Sequence, residues 1–348
     1  MFVQRSGTRL TLNGDSFFAE GFNCYFLSFC SDSIRQATLR SAKRLGANTI
    51  RSWAFLDSLG PDSGPITFQS LNRGVIEQND GPDGLRRLDH LIASAEELDL
   101  KLILPLVNYW PDFGGMPMYL RWLGLPADDA AMFFRARLAR DALRTWIDHV
   151  LNRRNDISGR LYYDEPAVLA WELANEPRCL GEGGRELLLD WIAEMSEFIK
   201  QRDSNHLLAT GDEGFFYRRR RSHLYDGTYG VDFEAILELP TIDLGTFHMY
   251  PQHWGESASS GFPRRWIRDH IQAGAKAEKP VVLEEFGVEC DEQAGITDDS
   301  RRALYSQWTD DMRAQGGAGA LVWMLGNDSP ETASFRDKYT LNNVSESS

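Results

Sequence analysis

Cysteine and long apolar runs are scarce in this sequence of 348 residues. Its four cysteines, Cys24, Cys30, Cys179 and Cys290, are too few and too widely spaced for a disulfide framework or a paired-cysteine metal site, so we expect free thiols. No stretch approaches the ~18 consecutive apolar residues of a membrane span, and the first residues contain no apolar signal-peptide core. We therefore expect no membrane association and a cytoplasmic location, or secretion if a signal segment has been removed.

Positive charge is also in short supply. The chain has 37 Lys and Arg residues against 51 Asp and Glu residues, a formal net charge of −14. This balance argues against a nucleic-acid partner, because phosphate contacts need clustered basic side chains, and against a polyanionic substrate. Aromatic residues are plentiful, with 19 Phe, 11 Tyr and 10 Trp, so the composition leaves open a neutral ligand with an apolar face.

Short apolar segments alternate with amphipathic helical segments along the chain. The strand-like runs are 18–26, 48–55, 101–109, 168–173, 207–211, 244–250, 281–285 and 320–325, and the helical stretches are 34–45, 84–99, 129–152, 185–201, 263–277 and 299–315. Near-continuous apolar runs are typical of parallel strands covered by helices. Eight strands with mostly helical connections predict an α/β protein with a (β/α)8 TIM barrel. A doubly wound open sheet is the alternative, although no GxGxxG motif follows the first strand to support it.

The parts outside this alternation are short, and we expect one domain spanning residues 1–348. Turn signals at Ser6-Gly7 and Asn13-Gly14 predict an N-terminal hairpin within residues 1–16, and residues 328–348 are predicted to be a weakly structured tail. Long irregular segments at 56–82, 111–128 and 252–262 each follow a predicted strand. They therefore belong at the C-terminal mouth of the barrel, where such loops are usually functional.

Two predicted strands end in carboxylates, Glu176 and Glu285, three βα units apart. Acidic groups at the top of an apolar barrel are costly unless they are paired or used. Two carboxyl groups facing each other across the mouth are the pair that a glycosidase requires, one protonated to donate to the leaving oxygen and one ionised to attack. The alternative is that they hold loops through arginine pairs.

Seven segments in order along the chain support a family resemblance. They are Phe22-Asn-Cys-Tyr, Ala47-Asn-Thr-Ile-Arg51-Ser-Trp53-Ala-Phe, Asn108-Tyr-Trp110-Pro-Asp-Phe-Gly-Gly115, Trp171-Glu-Leu-Ala-Asn175-Glu176-Pro-Arg178-Cys, His248-Met-Tyr250-Pro, Pro280-Val-Val-Leu-Glu-Glu285-Phe-Gly and Val322-Trp323. With them the chain resembles glycoside hydrolase family 5, the retaining (β/α)8 glycosidases, and most of all its β-mannanase branch. The resemblance implies that Glu176 is the general acid/base and Glu285 the nucleophile.

Glu284 competes with Glu285 for the role of nucleophile. Side chains alternate along an extended strand, so Glu284 is expected to point away from the face that Glu285 shares with Leu283 and Val281. The family pattern also places the nucleophile directly before the aromatic-glycine pair. We therefore predict a structural role for Glu284.

Other residues at the predicted strand ends have supporting roles. Arg51 can donate charge-assisted hydrogen bonds to the nucleophile and keep it ionised. By resemblance, Asn175 would bind the sugar 2-hydroxyl. His248 and Tyr250 are two apart on one strand, so they share a face and can orient the acid/base and the nucleophile respectively.

Aromatic side chains are candidates for sugar platforms. The resemblance places Trp323 beneath the sugar on the non-reducing side of the scissile bond. Trp110, Trp53, Tyr109 and Trp254 are further candidates, although a single tryptophan is more often core than platform.

These observations predict a retaining glycosidase that cleaves β-1,4-mannosidic bonds, with its catalytic carboxyl groups ~5–5.5 Å apart. No cofactor or metal is expected, because His248, His253 and the nearby acids form no recognised ligand set. Endo action on β-mannan or manno-oligosaccharide is favoured over exo action, in which a long loop blocks one end of the groove. A catalytically inactive sugar-binding barrel and a metal-dependent barrel enzyme are more distant alternatives.

Overall fold

The computed structural model describes residues 1–58, 64, 66–218, 221–291 and 296–341. In chain order the strands are Gln4–Ser6 (β1), Arg9–Leu12 (β2), Asp15–Phe17 (β3), Ala19–Asn23 (β4), Thr49–Arg51 (β5), Gln69–Asn72 (β6), Val75–Gln78 (β7), Lys101–Pro105 (β8), Val168–Glu172 (β9), Leu207–Ala209 (β10), Gly245–Met249 (β11), Val281–Phe286 (β12) and Gly319–Val322 (β13). The α-helices are Asp32–Arg44 (α1), Arg86–Glu97 (α2), Gly115–Trp122 (α3), Ala130–Arg135 (α4), Arg137–Asn152 (α5), Gly184–Lys200 (α6), Phe233–Glu238 (α7), Phe262–Ala277 (α8) and Asp298–Gln315 (α9). Among the described residues, no helix combines the length and the apolar character needed to cross a membrane.

Eight strands form one curved sheet in the order β10-β9-β8-β5-β4-β13-β12-β11, and every neighbouring pair is parallel. The seam between the two end strands is bridged by single hydrogen bonds, from the Asp243 amide to the Leu208 carbonyl (2.8 Å) and from the His248 amide to the Glu213 carbonyl (3.2 Å). The sheet is therefore a nearly closed barrel with helices around it, and the predicted (β/α)8 fold is confirmed.

The barrel is buried on both faces, which explains the continuous apolar runs. Every residue of β9, β11 and β12 is buried. Helix α2 turns its buried stripe, which includes Leu88, Leu91, Ile92 and Ala95, toward the protein interior, as the 3.6-residue spacing of these side chains requires. Because neighbouring parallel strands all run in the same direction, their carboxyl ends come together at one mouth.

The secondary structure differs from the prediction in three segments. The predicted helix 129–152 is divided into α4 and α5 at Ala136, whose backbone is extended (φ −73°, ψ 123°). The predicted irregular segment 111–128 contains helix α3. Segment 56–82 contains the antiparallel pair β6–β7, joined through Arg73 and Gly74, both with positive φ, as in a tight two-residue hairpin turn. Residues 59–63 and 65 of that segment lie outside the described residues.

Both ends of the chain have more order than the sequence indicates. The N-terminal segment is a three-stranded antiparallel sheet, β1–β2–β3, which extends the predicted hairpin by one strand. The predicted tail forms a single 3-10 helix, Pro330–Phe335, and then returns to the barrel, where the Leu341 amide donates to the Met324 carbonyl (2.8 Å). Residues 342–348 of the tail lie outside the described part of the chain.

Candidate active site

Glu176 follows β9 at the mouth of the barrel in a strained backbone conformation. Its φ is +52°, a region that non-glycine residues rarely adopt, and its amide donates to the Gly211 carbonyl (2.8 Å). The carboxylate accepts two hydrogen bonds, from Trp110 Nε1 (2.6 Å) and from the Nδ1 side of His248 (2.8 Å). The strained turn therefore directs the carboxylate across the mouth between two fixed ring nitrogens.

Glu285 lies near the end of β12 and is 5 % exposed at its side chain. It accepts from Arg51 Nη1 (2.5 Å) and from the Tyr250 hydroxyl (2.7 Å), and His248 Nδ1 lies 3.5 Å away. Donors on both oxygens favour the ionised form and leave the carboxylate little rotational freedom. This is the environment that a carboxylate nucleophile requires.

The two carboxylates lie close to each other. One oxygen of Glu176, one oxygen of Glu285 and one ring nitrogen of His248 all lie within 4.8 Å of one another. Retaining glycosidases place their carboxyl groups ~5–5.5 Å apart, whereas inverting enzymes leave ~6.5–9.5 Å for a water molecule. This geometry suits direct attack by a carboxylate. Within the part of the chain that the structure describes, these three residues also form the group whose atoms are close enough together to hold a metal ion.

Arg51, at the end of β5, is buried and connects the residues beneath the mouth. It donates to Glu172 (2.9 Å), to Asn175 Oδ1 (2.9 Å) and to Glu285, and its pKa is raised above the usual range because these neighbouring carboxylates outweigh the effect of burial. Asn175 in turn donates to Asn108 (3.0 Å). The arginine thus fixes both the candidate nucleophile and the asparagine beside it.

Glu284 does not point away from the site as strict alternation predicts. The pairing of β11 with β12 shifts between Phe247 and His248, so that Leu283 and Glu285 face consecutive residues of the neighbouring strand. Such a bulge lets successive side chains approach one side of a strand. Glu284 consequently lies 3.5 Å from Arg51 Nε and is fully buried. The expected opposite orientation of Glu284 is wrong, although its side chain remains below the cavity.

The buried His248 influences the protonation of both Glu176 and Glu285. Burial lowers the pKa of His248, but the charge of Glu285 and hydrogen bonds to Glu176 and Glu284 outweigh this and raise it well above the usual range. Burial also raises the pKa of Glu176, but the hydrogen bond and charge of His248 lower it to about 2. Burial raises the pKa of Glu285 above its ordinary value, and the charges of His248 and Arg51 only partly offset that rise. His248 Nδ1 and Glu176 are therefore joined by one hydrogen bond whose proton favours the imidazole nitrogen.

A cavity of about 640 Å³ opens above these groups. Its lining residues are Tyr25, Trp53, Asn108, Trp110, Asp112, Phe113, Asn175, Glu176, Arg178, Glu213, Tyr229, Tyr250, His253, Trp254, Glu285, Trp323, Asp337 and Tyr339. Arg51 and His248 are fully buried beneath it. Of the candidate platforms, Trp110, Trp323, Trp53 and Trp254 line the cavity, whereas Tyr109 only packs edge-on against Trp110, with ring centroids 5.0 Å apart.

Several lining residues were not singled out from the sequence. Tyr25 stacks on Trp323 with ring centroids 5.6 Å apart. Asp337, from the predicted tail, accepts from Trp323 Nε1 (2.8 Å). Arg178 makes two hydrogen bonds to Glu213 (2.5 and 2.6 Å). Arg178 directly follows the Asn-Glu-Pro motif, which was an available signal, but a weakly patterned tail offers none for Asp337.

Comparison with known proteins agrees with this geometry. The model of a family described as GH family 5 beta-mannosidase-like matches residues 1–315. The chain belongs to glycoside hydrolase family 5. Among curated members of the family, mannan endo-1,4-beta-mannosidase A of Podospora anserina is 36 % identical over 341 residues, which cover 97 % of this chain and 85 % of the relative. The corresponding enzyme of Hypocrea jecorina is 34 % identical, with 98 % of this chain and 74 % of the relative covered.

Solved structures of family 5 enzymes have the same architecture. The endo-1,4-beta-mannanase from Rhizomucor miehei superimposes with a TM-score of 0.90 at 36 % identity, covering 99 % of this chain and 96 % of that one. A hyperthermostable endo-1,4-beta-D-mannanase from Thermotoga petrophila gives 0.85 at 35 % identity, covering 94 % and 96 %. A family 5 mannosidase from Rhizomucor miehei, 20 % identical with a TM-score of 0.79, shares the fold.

Proposed function

We propose that this chain is an endo-acting, retaining β-1,4-mannanase. The observation that supports this most is the close pair of carboxylates, Glu176 and Glu285, with one oxygen of each within 4.8 Å of the other. The same architecture is found in proteins named as endo-mannanases that cover nearly the whole chain at 35–36 % identity. The proposed substrate is β-mannan or a manno-oligosaccharide, a neutral polymer that needs no basic groove.

In the proposed first step, a carboxylate oxygen of Glu285 attacks the anomeric carbon of a mannosyl unit. The bond from that carbon to the glycosidic oxygen breaks, and Glu176 donates a proton to the departing oxygen. A covalent mannosyl ester on Glu285 results. In the second step Glu176 removes a proton from water, the water oxygen attacks the anomeric carbon, and the ester bond breaks to restore Glu285.

Glu285 and Glu176 have different neighbours, and each set of neighbours suits the role proposed for that carboxylate. Arg51 and Tyr250 donate to Glu285, so they favour its ionised form and its release as a leaving group in the second step. His248 exchanges a proton with Glu176, which has to be protonated in the first step and ionised in the second. Asn175, held by Arg51 and Asn108, is proposed to bind the 2-hydroxyl of the reacting sugar.

The aromatic side chains of the cavity are proposed as sugar subsites. Apolar faces of pyranose rings pack on aromatic rings, and Trp323 presents such a face between Tyr25 and Asp337. Trp110 lies beside the carboxylate of Glu176, and we propose that the leaving sugar packs there. Trp53 is only 3 % exposed, and we propose that it supports the platform from below.

We also propose that residues 1–348 act as one catalytic domain, because both the N-terminal sheet and the returning tail pack on the barrel. A cytoplasmic location and the absence of membrane and nucleic-acid partners remain predictions. Measuring mannanase activity in the medium and in washed cells would test the location directly.

Product analysis tests the proposed activity. Mannohexaose and linear mannan are incubated with the protein, and the products are separated by chromatography over time. Endo action gives a ladder of internal products and a rapid fall in mannan chain length, whereas stepwise release of mannose alone would show an exo-mannosidase. Binding of manno-oligosaccharide without any product would indicate a sugar-binding protein.

Two variants make this test specific to the proposed site. Glu285→Ala should abolish the products, because it removes the nucleophile. Glu238→Gln, a change to an exposed glutamate at the end of α7, should leave the product pattern of the unmodified chain. Products from Glu285→Ala at the unmodified rate would contradict the assignment.

A further inference from the structure

Glu172 and Glu284 form a buried carboxyl pair below the proposed catalytic residues, and the mechanism above does not use it. Both side chains are fully buried. Arg51 donates to Glu172 Oε2 from Nε (3.0 Å) and Nη2 (2.9 Å), and Glu284 Oε1 lies 3.5 Å from the same Nε. Two acidic groups therefore share one guanidinium, which already also holds Glu285.

Several polar atoms in and around this carboxyl pair have no ordinary hydrogen-bond partner. Within the described residues, Glu172 Oε1, both oxygens of Glu284 and Nε2 of His248 have no partner in an ordinary hydrogen bond. Glu172 and Glu284 nevertheless come within hydrogen-bonding contact of each other. Two carboxylates can form that bond only if one of them keeps a proton. His248 Nε2 lies 3.5 Å from Glu284 Oε2.

Of the two carboxyl groups, Glu172 has the surroundings that favour the protonated form. Burial and the adjacent Glu284 raise the pKa of Glu172 well above its usual range, against the influence of Arg51. For Glu284, burial is outweighed by the charge of Arg51 and by hydrogen bonds from Glu172 and His248, which lower its pKa to about 2. These neighbours favour the ionised form of Glu284.

Charged and titratable groups surround Glu284 on several strands of the barrel. They are Arg51 on β5, Glu172 on β9, Asp212 after β10, His248 on β11 and Glu285 on β12. Burial raises the pKa of Asp212 to about 7. Glu284 lies next to Nε2 of His248, whereas Glu176 contacts Nδ1 of the same ring.

We propose that Glu284 is a positioning residue for proton transfer: it holds the Nε2 hydrogen of His248, so that Nδ1 of the same ring exchanges a proton with Glu176. In the first step the shared proton passes from Nδ1 to Glu176 and leaves with the departing oxygen, so that Nδ1 and Glu176 are then both unprotonated. When Glu176 takes a proton from water, Nδ1 is the adjacent acceptor. In both states Nε2 keeps its hydrogen and Glu284 keeps its charge. This inference rests on the proposed function, because it assigns Glu176 the role of acid/base.

The pH dependence of kcat/KM on mannohexaose tests the proposal. Its basic limb reports loss of the proton shared by His248 and Glu176. Glu284→Gln removes a negative charge next to the imidazolium, so the proton leaves more readily and the basic limb should move down by about one pH unit or more. Glu172→Gln is the matched variant, because its amide can donate to Glu284 and accept from Arg51 as the protonated acid does. It should not move the limb.

An unmoved basic limb in Glu284→Gln would overturn the proposal, as would equal shifts in both variants, which would indicate a structural role for the whole pair. A second measurement does not depend on a variant that folds or on turnover. In the unmodified chain with ¹⁵N-labelled histidine, the His248 signals should show a protonated Nε2 at all pH values where the ring is neutral, with Nδ1 losing its proton. Loss of the Nε2 proton first would overturn the proposal. Lack of mannan turnover would instead refute the proposed function and leave this spectrum interpretable.

Discussion

Removing the proposed acid/base separates its role from that of the nucleophile. In Glu176→Ala the carboxylate between Trp110 Nε1 and His248 Nδ1 disappears, while both donors to Glu285 remain in place. A positioned general acid contributes about 10²- to 10⁴-fold, or about 3–5.5 kcal/mol of barrier. We expect a loss of that size in kcat/KM on mannotetraose, because its leaving oxygen needs a proton.

The loss of activity in Glu176→Ala should be much smaller on a substrate with an activated leaving group. The 2,4-dinitrophenolate group departs from an aryl β-mannobioside without protonation, so the first step should stay within about tenfold of the unmodified rate. The second step then lacks its base, and a burst of dinitrophenolate followed by a slow steady state is expected in stopped-flow absorbance. Alanine also leaves space beside the anomeric carbon, so added azide should accelerate the slow phase and yield β-mannosyl azide.

The reasoning would be refuted by equal losses on the natural and the activated substrate. An α-configured azide product would also contradict it, because two displacements at the anomeric carbon restore the β configuration. Glu238→Gln serves as the control for handling and folding, since it changes an exposed carboxylate on α7.

Three further perturbations test other parts of the structure. Tyr250→Phe removes one hydrogen bond to an ionised carboxylate; if the reaction loses the about 1.5–3 kcal/mol of such a bond, kcat/KM should fall about 10- to 150-fold, and a loss below about threefold would count against it. Trp323→Ala removes a proposed sugar platform worth about 1.5–3 kcal/mol and, unlike Glu176→Ala, should reduce kcat/KM equally on natural and activated substrates. Burial raises the pKa of Asp57 to about 7; the folded state then holds a proton that the unfolded state releases near pH 4, so stability falls as pH rises from about 4 to 7. At about 1.4 kcal/mol per unit of pKa shift, urea unfolding at pH 5 and pH 8 should show the unmodified chain losing a few kcal/mol relative to Asp57→Asn, and equal pH dependence of the two would exclude this role.

The barrel itself could be predicted from sequence because its signal is local. Each strand of a parallel sheet covered on both faces is an apolar run, and each helix has a 3.6-residue stripe. The interruption of a helix at a single residue was harder to predict from the sequence. Ala136 is a good helix former, yet it is the residue at which α4 ends and α5 begins, so its extended backbone reflects packing and not propensity.

The sequence predicted which residues belong to the candidate site, but not which of them contact one another. Parallel strands end at the same side of the sheet, so carboxylates at two strand ends had to share the mouth. Alternation along a strand gave the wrong orientation for Glu284, because β12 has an irregularity that is visible only in its pairing with β11 and β13. The contribution of Asp337 was also missed, since its contact with Trp323 joins residues on separate segments.

The amino-acid sequence alone determined the fold class, the strand ends and the presence of Glu176 and Glu285, because those features follow from periodicity and short motifs within single elements. Only the tertiary structure decided which protons are held where. The pKa of a buried group depends on its desolvation and on charges within a few ångströms, and here those charges come from four different strands and the segments that follow them. Arg51 meets Glu172, Glu284 and Glu285 only when the barrel closes.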